Sequence, residues 1–161
     1  MAIGRTLAFM SVMAAPHAIP GRARQERIVD LRYRAALGNN PAEVAPVRRA
    51  VSRVASMVGF VSRADDVELA LSEVLANAQE HGRVPIAVSA WYDGRFMIEV
   101  RDHGRGFDRT RVWANHPPAP LGLRGRGLWI ARQITDGVTV RTGGDGTSVT
   151  IEFCREPQLG A

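Results

Sequence analysis

The stretch Ser72-Glu73-Val74-Leu75-Ala76-Asn77-Ala78-Gln79-Glu80-His81-Gly82 decides how the chain is read. It closes a helical pattern that opens near Ser62 or Ala64, sets Asp65, Asp66 and Glu68 where the helix dipole favours anions, and stops at glycine. At about 100° per residue, Val67, Ala70, Leu71, Val74 and Ala78 form one apolar arc, with Asn77 and His81 within or beside it. Glu73, Asn77 and His81 recur at i, i+4 and i+8, so they make a polar stripe along the edge of the face to be buried. Hydrogen bonds to a neighbouring loop could satisfy such a stripe. Equally, a carboxylate and a carboxamide four residues apart could hold a hydrated magnesium ion and orient a hydroxyl, because magnesium favours a few oxygen ligands plus water and phosphate. The helix alone leaves both readings open.

On either side of this helix the pattern alternates in class. Residues 28–37 carry branched and aromatic side chains in partial alternation and stop at Gly38-Asn39-Asn40-Pro41, a strand followed by a turn. Asn40 then caps a helix, Pro41 suits its first turn, and Val44, Val47, Val51, Val54, Ala55 and Val58 repeat at helical spacing up to Gly59. Residues 84–92 and 95–101 read as strands joined at Asp93-Gly94, a strong hairpin signal. A loop rich in glycine and proline runs from His103 to about Leu123. A third helix spans Gly125 or Arg126 to Thr135, and strands at 138–141 and 148–153 flank Gly143-Gly144-Asp145-Gly146. The expected fold is α+β, a two-layer sandwich with helices on one face of a largely antiparallel sheet.

At 161 residues, 45% hydrophobic and 23% charged, the chain fits one domain with a terminal extension and excludes a wholly disordered or collagen-like polymer. Residues 1–27 read as a poorly ordered extension and linker, 28–155 as the domain and 156–161 as a tail. The start pairs Arg5 with a short apolar stretch and loosely resembles a secretion signal, but a loose or partner-binding tail is the reading adopted. No apolar run reaches the roughly 20 residues of a membrane span. The single cysteine, Cys154, cannot form an internal disulfide and reads as a core or edge-strand thiol in a reducing cytoplasm. All 21 basic residues are arginine, which excludes a Walker A loop, Schiff-base chemistry and an ordinary protein-kinase fold with its strand lysine. Between Arg101 and Arg132 stand seven arginines against two acids, enough to account for the whole formal charge of +5. Such local charge says more than the overall basicity does about nucleic-acid binding, and no direct nucleic-acid contact is expected.

Three glycine motifs complete the pattern. Asp102-His103-Gly104-Arg105-Gly106 places a carboxylate at a strand end before two spaced glycines. Gly125-Arg126-Gly127-Leu128 opens the third helix, where backbone N–H groups and the helix N-terminus favour phosphate. Gly146-Thr147 begins the last strand. Singly, each could be an ordinary turn or entry loop. In order with Glu73-x-x-x-Asn77, they resemble the N, G1, G2 and G3 boxes of the GHKL ATPase and kinase superfamily. The wording of residues 72–82 and of Gly125-Arg126-Gly127-Leu128-Trp129 is similar to that of bacterial anti-sigma factor serine kinases.

The resemblance covers about residues 28–154 and implies the Bergerat ATP-binding fold, a mixed, mainly antiparallel sheet backed by three helices, with a lid between G1 and G2. It implies ATP and magnesium as ligands, Asn77 as the magnesium ligand, and Glu73 as the base that orients or deprotonates the acceptor. Asp102 would accept from the adenine amino group, Gly104 and Gly106 would let the base approach, and Thr147 would support Asp102 through water. Gly125, Gly127 and Leu128 would border the phosphates, with Arg105, Arg124 and Arg126 as candidates to neutralise them. A buried carboxylate selects adenine because guanine presents a carbonyl oxygen at that edge. The lid departs from the family in carrying Pro117, Pro118 and Pro120 and no lysine. His81 reads as satisfying a helix end and His103 a loop. The implied activity is that of a serine protein kinase that binds a sigma factor and phosphorylates its anti-anti-sigma antagonist, with a homodimer left open. A binding module without transfer and the ATPase part of a histidine-kinase-like system are the alternatives.

Overall fold

The computed structural model describes residues 8–13, 30–106 and 126–155. Among these are six strands, β1 (Ala8–Met13), β2 (Asp30–Leu37), β3 (Ile86–Tyr92), β4 (Phe96–Asp102), β5 (Gly137–Gly143) and β6 (Gly146–Phe153). The helices are α1 (Val44–Met57), α2 (Ala64–His81) and α3 (Gly127–Ile134). The strands form one sheet in the order β1-β2-β3-β4-β6-β5. Every pairing among the described strands is antiparallel, in keeping with the mainly antiparallel sheet that the sequence predicts.

Alternation sets the layers. Ile86, Val88, Ala90 and Tyr92 of β3, Phe96, Ile98 and Val100 of β4, and Val149, Ile151 and Phe153 of β6 are buried, while the residues between them are not. The three helices cover that face: α2 packs between α1 and α3 and over β4 and β6, α1 against β2, and α3 against β5. The apolar arc of α2 is buried as expected, and Leu75 widens it. Helix α1 buries Val47, Val51, Val54 and Ala55. Its entry is a short 3-10 turn (Pro41–Glu43) that Asn40 caps by accepting from the Ala42 amide at 3.0 Å. Phe60, beyond α1, meets Tyr92 edge-on at 6.1 Å between centroids and Phe96 at 5.8 Å, closing one end of the core.

Two features differ from the sequence reading. Residues 8–13, read as part of a loose extension, form β1 along the outer edge of β2, with Ala8 opposite Ala35 and Met13 opposite Asp30. The reason is an available ladder: an apolar segment beside an open strand edge satisfies its backbone groups by pairing. Cys154 lies just past β6, half-buried, so it is neither a core nor a strand thiol. Its sulfur lies 3.5 Å from a Glu152 carboxylate oxygen, and its amide donates to Asp136. Residues 14–29 and 156–161 lie outside the described residues. None of the described helices is long and apolar enough to cross a membrane.

Arg63, at the entry of α2, ties three elements together. It donates to Asp66 at 2.8 Å, to Asp136 at 3.3 Å and to the Ile134 carbonyl at 2.9 Å, and its guanidinium lies 5.2 Å from the centroid of Phe153. The two aspartates are well exposed, which discounts the ion pairs, so the carbonyl bond and the aromatic contact contribute most. Arg63→Met is expected to cost about 1–2 kcal/mol and to lower the melting temperature by several degrees. Differential scanning calorimetry checks this, and an unchanged melting temperature would refute the clamp.

Candidate functional site

The alternation that builds the core ends in two polar residues. Asp102 continues the buried series Phe96, Ile98 and Val100 of β4, and Thr147 heads the series Val149, Ile151 and Phe153 of β6. Both are 6% exposed, and the two are register partners across the sheet. A carboxylate buried in this way needs donors. One comes from the Gly104 amide, 2.7 Å from Asp102 Oδ1, the short reach of a side chain bonding two residues ahead. The Thr147 hydroxyl lies 3.3 Å from that of Thr142, its partner across the β5–β6 hairpin.

Glycine packs the elements around this floor. A Cβ on Gly104 would stand 2.9 Å from Asp102 Oδ1 and 3.0 Å from the His81 carbonyl. Gly106, at φ +70°, lets the loop turn onto β5, where a Cβ would stand 2.5 Å from the Thr142 hydroxyl. On the far side, a Cβ on Gly127 would stand 2.8 Å from Glu73 Oε2 and 3.1 Å from Asn77 Nδ2. The first turn of α3 therefore sits directly on the carboxylate and carboxamide of α2. Ile130 donates to the Arg126 carbonyl at 2.8 Å, and the side chain of Arg126, the residue at the N-cap, does not cap α3, whose leading N–H groups form the helix's positive end.

The structure thus brings Glu73, Asn77 and Gly127 together on one side, and Asp102, Gly104 and Thr147 on the other, with α2 spanning both. Glu73 and Asn77 are half-buried along the edge of the helix face, as their spacing predicts. Arg105 is exposed at the mouth of the Asp102 loop, Arg126 precedes α3, and Leu128 packs against the core. Arg124 and Gly125 lie outside the described residues, as does the segment 107–125 read as a lid. His81 is not drawn into the group; its ring is exposed beside Glu80, 3.9 Å away. His103 is exposed, and its backbone amide donates to the Arg83 carbonyl.

Two contributors escaped sequence reasoning. Gly82, which the sequence marks as a helix stop, lies against Asp102. Thr142 could have been found by counting back through the hairpin turn, which sets it opposite Thr147. For magnesium, the described residues hold no group of three or more histidine, cysteine or acidic side chains that could bind a metal. The donors present fit an ion that keeps most of its water and takes phosphate oxygens, and do not fit an all-protein cage. For a nucleotide, the buried Asp102 carboxylate is an acceptor that fits an adenine amino group and the N-terminus of α3 favours phosphate, while the faces of Gly104 and Gly127 that a Cβ would occupy are filled by Asp102 and His81 and by Glu73 and Asn77.

A helix-backed antiparallel sheet with a buried carboxylate at one strand end and a helix N-terminus set on a Glu-Asn pair defines an ATPase-type domain of the histidine-kinase class. Residues 37–153, well over half of the chain, match the family described as Histidine kinase-like ATPase domain, and the chain belongs to that family. No curated protein matches. Among solved structures, the RsbU and RsbW domains of Rv1364c from Mycobacterium tuberculosis align with TM-score 0.57 and 21% identity, over 81% of this chain and 34% of that one. The histidine kinase domain of a blue-light activated histidine kinase from Erythrobacter litoralis aligns with TM-score 0.49 and 23% identity, over 70% of this chain and 63% of that one. This chain therefore spans less than two thirds of the solved chains it resembles.

Proposed function

We propose that this protein is an ATP-dependent serine protein kinase of the anti-sigma type, which holds a sigma factor and phosphorylates that factor's antagonist in the cytoplasm. The observation that carries the reading is the position of Glu73. It is half-buried beside Asn77 and under Gly127, where a base for phosphoryl transfer is needed. Family membership supports ATP as the donor. The wording of residues 72–82 and the fold shared with a structure that includes an RsbW domain support the anti-sigma assignment.

In this reading each residue has a defined task. Asp102 Oδ1 is engaged by Gly104, which leaves Oδ2 to accept from the adenine amino group. Thr147, held by Thr142, carries a water that completes the adenine edge. Asn77 offers its amide oxygen to hydrated magnesium, and the ion when bound would neutralise phosphate charge. The leading N–H groups of α3, which the absence of a side chain at Gly127 lets sit on Glu73 and Asn77, hold phosphate oxygens, and Arg105 and Arg126 add positive charge. Glu73 then takes the proton of the acceptor serine as its oxygen bonds to the γ-phosphorus and the bridge to the β-phosphate breaks. The acceptor gains about 1.5–2 negative charges, enough in a packed contact to release the antagonist and leave this protein free for its sigma factor.

The test is incubation of this chain with magnesium, labelled ATP and the cognate antagonist. Label on an antagonist serine is expected. An antagonist that forms the complex yet stays unlabelled after long incubation would overturn the kinase reading in favour of an ATP-dependent binding module.

A further inference from the structure

Gly82 is the first residue past α2, and its backbone is extended, at φ −87° and ψ −168°, a conformation open to any residue. Conformational freedom therefore does not account for glycine here; space does. A Cβ at this position would lie 2.5 Å from Asp102 Cγ, 2.6 Å from Asp102 Cβ and 2.5 Å from the Ala78 carbonyl oxygen. Such distances are far inside van der Waals contact, and the neighbours cannot easily yield. The Ala78 oxygen is fixed by accepting from the Gly82 amide at 2.9 Å. The junction is also pinned from both flanks, since His103 donates to the Arg83 carbonyl at 3.1 Å and a Cβ on Gly104 would lie 2.9 Å from Gly82 Cα. The end of α2 and the end of β4 are thus pressed together, with the Asp102 side chain seated against the bare backbone of Gly82.

We infer that Gly82 is a positioning residue that sets base selectivity: its missing side chain fixes the Asp102 carboxylate in the orientation that accepts from adenine. This rests on the adenine assignment of Asp102. It adds to that assignment a residue that contacts no ligand and yet controls the ratio of ATP to GTP affinity. A methyl group at position 82 displaces Asp102 and leaves the Glu73, Asn77 and Gly127 contact at the other end of the site untouched, because that contact lies about one and a half to two and a half helical turns back along α2.

The test measures calorimetric affinities of the full chain for ATP, GTP and inorganic triphosphate in the wild type, Asp102→Asn and Gly82→Ala. Gly82→Ala is expected to bind ATP at least tenfold more weakly, with a reduced ATP-to-GTP ratio and unchanged triphosphate affinity, and to shift the Gly104 amide resonance in a 15N spectrum. Equal weakening toward all three ligands would mark general loosening and overturn the positioning role. So would a Gly82→Ala protein with wild-type affinity and ratio, given a wild type that prefers ATP and an Asp102→Asn variant that does not. If the wild type shows no preference for ATP, the adenine reading itself falls, and the inference with it. Should Gly82→Ala fail to fold, adding Asp102→Gly decides. Recovery of a folded double variant supports a clash centred on Asp102, whereas failure of the double variant while Asp102→Gly alone folds assigns the penalty to the Ala78 carbonyl and overturns the proposal.

Discussion

Replacing Asp102 by asparagine is expected to weaken ATP binding by about 100-fold or more and to turn the nucleotide preference toward GTP. The argument follows from one hydrogen bond. Because the Gly104 amide donates to Asp102 Oδ1 at 2.7 Å, the substituted amide must place its oxygen there, and its NH2 group must occupy the position of Oδ2. A donor then faces the adenine amino donor at a site shielded from bulk water, since Asp102 is 6% exposed. Guanine, with a carbonyl oxygen at that edge, meets the same NH2 group as a partner. Calorimetry with both nucleotides checks the result. Unchanged ATP affinity would remove Asp102 from the adenine site.

The second large effect is on catalysis. Glu73→Gln should retain ATP affinity near that of the wild type while slowing phosphoryl transfer by about 10²- to 10⁴-fold, because the amide keeps the shape of the carboxylate but cannot take the serine proton. Shape matters here: the first turn of α3 rests on this side chain, and a Cβ on Gly127 would stand only 2.8 Å from Glu73 Oε2, so a truncation would alter the packing along with the chemistry. Asn77→Ala should behave oppositely, weakening magnesium-dependent nucleotide binding before it affects any later step. Single-turnover kinetics beside equilibrium binding separates the two, and a Glu73→Gln protein that transfers phosphate at the wild-type rate would end the assignment of Glu73 as base.

The architecture was legible wherever a single element could report on itself. Periodicity placed α1 and α2, Asn40 and Gly82 marked helix limits, and Asp93-Gly94 located the β3–β4 hairpin, because each signal lies within one local segment. Gly94 indeed adopts φ +99° in that turn. The polar stripe of Glu73 and Asn77 was visible for the same reason. What the helix could not reveal was its partner, since Gly127 lies 54 residues beyond Glu73 and only packing brings the two together. Likewise, the closeness of Gly82 to Asp102 depends on how α2 crosses the end of β4, a relation between elements that no local pattern encodes. The strand β1 was missed because its pairing partner, the outer edge of β2, is a property of the assembled sheet. Nor could Ala8–Met13 announce itself by alternation, since AFMSVM is apolar at nearly every position.

The register pair of Asp102 and Thr147 joins positions 45 residues apart in the chain. The β3–β4 and β5–β6 hairpins can each close over a short turn, but the seam between β4 and β6 forms only after the intervening chain and α3 have been gathered, at a cost in loop entropy that local contacts do not offset. On the proposed assignment, the adenine edge is read from both sides of that seam, so a nucleotide has affinity for the closed sheet and none for separated hairpins. By mass action its binding energy then adds to the closure of this long-range pairing. The lifetime of the fold thereby becomes a function of the nucleotide concentration around it.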